Sequence, residues 1–395
     1  MRKDWTETTL GEIASFYNGK TYKQEELLDS GKYRVLRVGN FFSNGNWYWS
    51  DLELEENKYC DRGDLLYAWS ASFGPRIWSE EKVIYHYHIW KIVEDSSLVS
   101  KHFLYFWLDE DVLRMKRDTG NGSIMMHITK GGIEARTIQL PPLAEQKRIV
   151  DLVSSVDAYL NMLQQQVDSA RVARSAVLHD LLSACSEDWT ETTLGEVSEF
   201  TRGPFGGSLK KGIFVKSGYA VFEQQHAIYG DFSSFRYFVI AEKFEEMSRF
   251  KVSAGDLIMS CSGTIGKVSI VPPAAPQGII NQALLKISPK SEIMGEFLLF
   301  WTQSEIFKLI IGENSGGAVQ QNVASVKILK NIAIALPPLA EQKRIIEVVS
   351  SMDEVIQSTE QAVDDAKALR SGLLSDLLSG NHEIPASYDS LLGAA

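Results

Sequence analysis

The sequence predicts an α+β fold built twice: two similar mixed α/β domains and two long helices that pair antiparallel as a coiled coil with pseudo-two-fold symmetry. Three observations predict it. DWTETTLGE stands at residues 4–12 and again at 188–196. LPPLAEQKRI stands at 140–149 and again at 336–345. Each ending opens a heptad pattern, and between each opening and its ending lies unlike sequence, so one frame surrounds two different middles.

The first middle, residues 1–139, alternates short apolar runs with turns. YRVLRVGNF (33–41), DLLYAW (64–69) and KVIYHYHIWKIV (82–93) predict strands, and HFLYFWLDEDVLRMKR (102–117) predicts an amphipathic helix. The second middle, 188–335, repeats the order with DLIMS (256–260), ALLKIS (283–288) and the helix GEFLLFWTQSEIFKLII (295–311). The distance between copies grows from 184 residues at Asp4 and Asp188, through 192 at Gly63 and Gly255, to 196 at Leu140 and Leu336. Insertions therefore lie only between the anchors, and the middles share a fold while differing in surface.

Residues 140–187 and 336–382 predict the rods. Pro141-Pro142 and Pro337-Pro338 mark their starts, because proline is tolerated in a first turn and breaks a helix interior. Apolar residues then recur by steps of four and three: Ile149, Val153, Val156, Leu160, Leu163, Val167, Ala170, Val177 and Leu181 in the first. The second gives Ile345, Val349, Met352, Ile356, Val363, Ala366, Leu373 and Leu377. About 40 residues at 1.5 Å each make a rod of roughly 60 Å, which must bury its stripe, most naturally against the other copy. Arg174 and Arg370 interrupt the seams at equivalent places: either each charge fixes register against a partner helix, or its guanidinium snorkels into water. An antiparallel pair would bring the termini together, with Trp5 placed after the second rod as Trp189 is after the first. Residues 383–395 predict a flexible tail.

The bulk properties narrow the function classes. With 395 residues, 44% hydrophobic and 23% charged, the chain suits several globular domains. Cys60, Cys185 and Cys261 form no CxxC pair, and a reducing cytoplasm is expected. MRKDWTETTL lacks the apolar stretch of a signal peptide and no run approaches the roughly 20 apolar residues of a membrane span. Asn121-Gly122-Ser123 matches a glycosylation acceptor, a common triplet without meaning in the cytosol. The net charge of −11 argues at first against nucleic acid, yet it divides as −3 over 1–139, −2 over 140–187, 0 over 188–335 and −6 over 336–395. Either near-neutral middle can present a basic face, and partners can supply further phosphate contacts.

Catalytic signatures are absent. GTIGKV (263–268) lacks the upstream glycine and the following Ser or Thr of a phosphate loop, and no GxSxG, HExxH or dinucleotide loop occurs. His86 and His88 share a face of the expected strand and could ligate a metal, but no nearby Cys or third His completes a set, so polar contacts are the favoured role.

Recognition candidates follow residue type and loop position. Glycine permits close backbone approach, Ser, Thr, Asn and Gln bond base edges, and Lys or Arg bond phosphate or guanine. In the first middle they are Ser70, Ser72 and Arg76 in YAWSASFGPR (67–76), and Asn121, Ser123, His127 and Lys130 in GNGSIMMHITKG (120–131). In the second they are Ser262, Thr264 and Lys267 in SCSGTIGK (260–267), and Asn314, Gln320, Gln321 and Asn322 in ENSGGAVQQN (313–322). Lys20, Arg202 and Lys210 complete the set. The same loops also read as ordinary polar turns, and Tyr67 and Trp69 as core aromatics.

GDLLYAWSASFG, GDLIMSCSGTIGK and the two copies of LPPLAEQKRI before long helices resemble the specificity subunit of type I restriction-modification systems over essentially the whole chain. The resemblance implies a non-catalytic reader of double-stranded DNA. Its target recognition domains, 1–139 and 188–335, would each contact one half of a bipartite asymmetric site, with the conserved spacer helices 140–187 and 336–382 as a ruler. It implies two modification subunits that carry S-adenosylmethionine and methylate adenine N6, two restriction subunits able to join them, and no cofactor in this chain. The residues expected to pair the helices or dock partners are Leu143, Gln146, Arg148, Val153, Leu160 and Arg174, and in the second copy Leu339, Gln342, Arg344, Val349, Ile356 and Arg370. Two rivals remain: an enzyme in its own right, which the missing motifs disfavour, and a protein-binding scaffold, which the acidic charge suits.

Overall fold

Two compact units divide the chain, Met1–Gln164 with Gln361–Ala395, and Gln165–Glu360. The computed structural model describes residues 4–42, 45–70, 72–118, 128–184, 186–205, 207–313 and 326–392. Each unit thus joins one divergent middle to half of each rod.

In the first unit, β1 (Thr6–Thr9) pairs antiparallel with β10 (Thr137–Leu140), which ties the opening repeat to the strand that feeds the rod. The single-turn helix α1 (Leu10–Ile13) starts on a reciprocal cap. The Glu12 carboxylate accepts from the Thr8 hydroxyl at 2.7 Å and the Thr9 N–H at 2.9 Å, and these donors hold its carboxyl below the usual range.

Strands β2 (Ala14–Asn18), β6 (Leu65–Ser70), β7 (Ser72–Ile77) and β9 (Ile89–Glu94) make an antiparallel sheet in the order β2-β9-β6-β7. A second sheet orders β3 (Tyr33–Leu36), β4 (Tyr48–Ser50), β5 (Tyr59–Cys60) and β8 (Val83–Tyr85) as β4-β3-β8-β5, with β3 and β8 parallel. Helix α2 (Val38–Phe42) follows β3, and α4 (Lys130–Glu134) precedes β10. Helix α3 (Lys101–Asp118) lays Phe103, Phe106 and Trp107 into one core with Phe16, Tyr67 and Trp90 of the first sheet. Each such aromatic contributes roughly 1.5–3 kcal/mol by leaving water.

The second unit repeats the plan. β11 (Thr190–Thr193) pairs with β20 (Ala333–Leu336), and α6 (Leu194–Val197) begins on the same cap, with Glu196 2.8 Å from the Thr192 hydroxyl. Strands β12 (Ser198–Arg202), β16 (Leu257–Ser260), β17 (Val268–Ile270) and β19 (Leu284–Pro289) form the sheet β12-β19-β16-β17. Strands β13 (Tyr219–Phe222), β14 (Phe238–Val239), β15 (Lys251–Val252) and β18 (Gly278–Ile280) form β14-β13-β18-β15, with β13 and β18 parallel. Around them stand α7 (Gln224–Tyr229), α8 (Ala241–Glu246), α9 (Gly295–Gln303), α10 (Glu305–Glu313) and α11 (Val326–Lys330).

Both rods form as expected, α5 over Leu143–Ser183 and α12 over Leu339–Leu378. Within each unit they pack antiparallel. In the first, Arg370 pairs with Asp157, while Leu374 and Leu377, further along α12, share a core with Ile149 and Val153, earlier in α5. In the second, Arg174 pairs with Asp353, and Leu178 and Leu182 share a core with Ile345 and Val349. Trp5 and Trp189 take matching places: Trp5 packs with Leu377 and Leu378, Trp189 against the core holding Leu178 and Leu182.

Four expectations are corrected. The strand read over 33–41 ends at Leu36, because Gly39-Asn40 turns the chain into α2. The run 82–93 is two strands in different sheets, and His86-Tyr87-His88 is the crossing between them, not part of a strand face. The helix over 295–311 breaks at Ser304, whose extended backbone ends α9 and whose hydroxyl accepts from the Phe307 N–H in the first turn of α10. Leu178, Leu182 and Leu374, rather than Val177, Leu181 and Leu373, are the fully buried residues at the rod ends, where the helices face a domain core as well as each other.

The tail is also tethered over 383–392. Ile384 is buried, Tyr388 packs on the first core, and Asp389 in α13 (Tyr388–Leu392) takes both Nε and Nη2 of Arg148 at 2.8 Å.

Gly19 and Gly203 hold the two sheets of each unit together at matching points. A Cβ at Gly19 would stand 2.2 Å from the Tyr85 carbonyl oxygen, and one at Gly203 1.9 Å from that of Asn281. Gly203→Ala is expected to lower stability by about 1–3 kcal/mol, the usual cost of overpacking, read as a drop in the thermal or urea midpoint. An unchanged midpoint would contradict this close approach.

Candidate nucleic-acid interface

The expected recognition residues of the first unit are spread over two places. Ser70 ends β6 and is buried, so it cannot reach a base edge without movement; Ser72 opens β7. Arg76 is half-buried, donates to the Phe41 carbonyl and lies over the Trp78 ring, which spends its guanidinium on holding α2 to the sheet. Lys20 pairs with Glu26 at 3.1 Å, and Lys130 with Glu134 at 3.6 Å, one turn on in α4. Asn121, Ser123 and His127 lie outside the described residues.

A concavity of about 550 Å³ opens at the ends of β3 and β8, lined by Arg37, Asn40, Trp47, Tyr48, His86 and His88 among others. Sequence reasoning missed it as a site because it treated both runs as uninterrupted strands. The available signal was Gly39-Asn40 after a fully apolar pair, and two polar imidazoles inside an apolar run. Trp69 positions the crossing: its Nε1 donates to the Tyr87 carbonyl at 2.9 Å, and its ring meets that of His88 edge to face. Burial pushes the His86 imidazole down to about 4, and His88 and Arg37 add to it. Among the described residues no group of three metal-ligating side chains exists.

In the second unit, Ser262, Thr264 and Lys267 are exposed on the turn between β16 and β17, and Lys210 is exposed before a short helical turn. The Ser262 carbonyl accepts from Gln224 at the start of α7, so this turn and that helix form one surface. Arg202, at the end of β12, lies against Cys261, and its Nη1 is buried without a hydrogen-bond partner among the described residues. A cavity of about 490 Å³ joins Lys267 to Lys308, Arg171 and Arg174, of which the last three are ion-paired with Glu305, Glu360 and Asp353. Asn314, Gln320, Gln321 and Asn322 lie outside the described residues.

The rod residues divide into three kinds. Gln146 and Gln342 are wholly buried and are therefore not docking contacts. Each is a clamp. Gln146 accepts from the Ser100 N–H at 2.8 Å and donates to the carbonyls of Leu98 at 2.9 Å and Pro141 at 2.8 Å. Gln342 does the same with Met294, Glu292 and Pro337 at 2.8, 2.9 and 2.9 Å. Val153, Val349 and Ile356 are buried and Leu160 is half-buried, which suits pairing rather than docking. Leu143 and Leu339 are exposed, as are Tyr159 and Val355 at equivalent positions. Arg148 is taken by Asp389, whereas Arg344 turns to Glu341, with Nε and Nη2 at 2.9 and 2.6 Å.

Of the two readings of the rod arginines, register fixing is the one the geometry supports. Arg174 donates to both oxygens of Asp353, to the Gln303 amide oxygen at 2.8 Å, and lies 5.5 Å from the Phe300 ring centre. Arg370 repeats this with Asp157, Asp109 at 3.6 Å and Phe106 at 5.7 Å. Burial pushes the Asp109 carboxyl up against the pull of Arg370.

The fold and these surfaces define a class: a doubled α+β frame carrying two unlike polar surfaces, with no assembled metal set among the described residues. The model of the type I restriction modification DNA specificity domain matches residues 2–169 and again 186–366, and the chain belongs to that family. It is 23% identical to the type I restriction enzyme EcoBI specificity subunit of Escherichia coli, over 96% of this chain and 85% of that one. It is likewise 23% identical to the MjaVIII specificity subunit of Methanocaldococcus jannaschii, over 96% and 93%. A chain solved in work on complex assembly and conformational transition of the type I R-M system shares the fold at a TM-score of 0.64 and 17% identity, covering 96% of this chain and 98% of that one.

Two outcomes are expected. Gln342→Ala strands the Met294 N–H and two carbonyls in the interior, at about 1–3 kcal/mol for each group left unsatisfied, read as a lowered denaturation midpoint. The folded His86 binds fewer protons than an unfolded histidine between pH 6.5 and about 4. Stability of the first unit should therefore fall as pH drops through that window and level off below it. His86→Asn should flatten this limb of a urea-midpoint against pH curve; an unchanged slope would assign it elsewhere.

Proposed function

We propose that this chain is the non-catalytic subunit that reads a bipartite, asymmetric site on double-stranded DNA and brings adenine-methylating subunits to it. The observation that carries the reading is one frame built twice around unlike surfaces. The cap, the glutamine clamp and the arginine–aspartate contact recur residue for residue, while the exposed polar groups of the two middles do not correspond. Repeated parts suit two copies of one partner, and dissimilar heads suit dissimilar half-sites.

The partners would be two modification subunits, which hold S-adenosylmethionine and flip the adenine into their own pocket, and two restriction subunits able to join them. Exposed Tyr159 and Val355, at matching places on the rods, offer apolar contacts for such docking. Exposed Lys267 offers a phosphate contact within a chain of net charge −11. The cytoplasm is the proposed compartment, in keeping with free, buried Cys60 and Cys261; no helix among the described residues is long and apolar enough to cross a membrane.

Selection from random duplex DNA, with and without a modification subunit, should enrich a motif of two unlike halves, and exchange of residues 13–139 for those of a relative should change one half alone. Lengthening a rod by whole turns should change the spacer instead. Enrichment of no bipartite motif would favour a protein-binding scaffold, and methyl transfer from labelled S-adenosylmethionine by the purified chain alone would make it an enzyme.

A further inference from the structure

In both units the only parallel strand pair among the described residues sits at a topological switch. After β3 the chain turns outward through α2 to β4, whereas after the adjacent β8 it crosses to β9 in the other sheet. The second unit does the same after β13, through α7, and after β18, into β19. Connections that leave neighbouring parallel strands in opposite directions open a crevice at their carboxyl ends, where open sheets bind ligands. Gly19 and Gly203 lock this place from below by their close approach to the residues after β8 and β18.

The frame of the crevice is shared and its lining is not. In the first unit the positions after the strands are Arg37 and His86, with Asn40 and His88 beside them. Arg37 is exposed, lies 5.0 Å from the Tyr48 ring centre, and has no carboxylate in ion-pairing range among the described residues. Its charge is thus stacked in place without a direct ion pair, although Asp29 lines the same cavity. In the second unit the corresponding positions are Glu223 and Asn281, followed by Gln224 and the exposed Gln282. Arg202, next to Gly203, faces the other way, against Cys261 in the core shared with α9, and so does not line this crevice.

We propose that these switch-point crevices are the specificity-determining surfaces, Arg37 and His86 reading base edges of one half-site and Gln282 those of the other. The proposal rests on the DNA-reading function above and adds where in each head the reading occurs. Arginine matches the two acceptors on the major-groove edge of guanine, and the glutamine amide matches the donor–acceptor edge of adenine. His86 accepts the His88 N–H at Nδ1, at 3.4 Å, which leaves its Nε2–H as a donor.

The test uses the full chain assembled with its modification subunits, in selection from random duplex DNA followed by sequencing. Arg37→Ala should lose discrimination at one or two positions of one half-site, by roughly 5- to 150-fold at each, the range that a bidentate contact carries, and leave the other half intact. Gln282→Ala, at an exposed position, should do the converse. If the unmodified assembly enriches a bipartite motif and Arg37→Ala and Gln282→Ala enrich the same motif at reduced yield, these residues contact the backbone and the proposal is wrong. If the unmodified assembly enriches no bipartite motif, the DNA-reading function itself falls.

Discussion

The structure depends on one contact made twice, the rod arginine on the aspartate of the opposing helix. Arg174 with Asp353 and Arg370 with Asp157 are separated by the same 196-residue shift as the two copies of LPPLAEQKRI. A heptad seam alone tolerates a slip of seven residues, since leucine meets leucine at each setting. A slipped seam here would strand two guanidinium groups and two carboxylates at half-buried positions, where unpaired charge is far costlier than in water. The pair's net contribution to stability is modest, but its contribution to choosing one register is large. The same arginines also touch Phe106 and Phe300 of the adjoining domains, so register in the rods and seating of the heads are set by the same side chains.

The glutamine clamps extend this coupling to the domain roots. Each buries a primary amide at the helix start and satisfies the N–H that opens the neighbouring helix, Ser100 before α3 and Met294 at α9. Two of its three bonds reach far along the sequence and the third holds the proline turn just before the rod, so the amide reports that the rod, the proline turn and the domain helix have met correctly. An aliphatic residue of equal size could fill the volume but could not make that check.

Much of this was legible in the sequence, because repetition carries information that a single pattern lacks. The doubled endings located the rods, their antiparallel pairing and the matching places of Trp5 and Trp189. The crevices were not legible, for a physical reason. Val35, Leu36, Val38 and the run from Val83 to Trp90 are apolar enough to read as unbroken strands, so Gly39-Asn40 and the two imidazoles passed for polar interruptions of strands rather than the turn and the change of sheet they mark. Arg76 and Ser70 misled in the opposite sense, since polar residues on a hairpin suggest a ligand until the Phe41 carbonyl that takes Arg76, and the burial of Ser70, are seen.

Identity of sequence also does not guarantee identity of surface. Arg148 and Arg344 occupy the same place in LPPLAEQKRI, yet Arg148 is drawn out to Asp389 of α13, while Arg344 folds back on Glu341 of its own helix. Trp5 correspondingly takes Glu145, the counterpart of Glu341. The difference arises because α13 follows the second rod, and its segment folds onto the first unit. The repeated residues therefore meet unlike neighbours in the two units, one set beside α13 and one beside an exposed arginine–glutamate pair. The frame is symmetric in its buried contacts, where symmetry sets register, and asymmetric at its surface, where the continuation of the chain has altered the same residues.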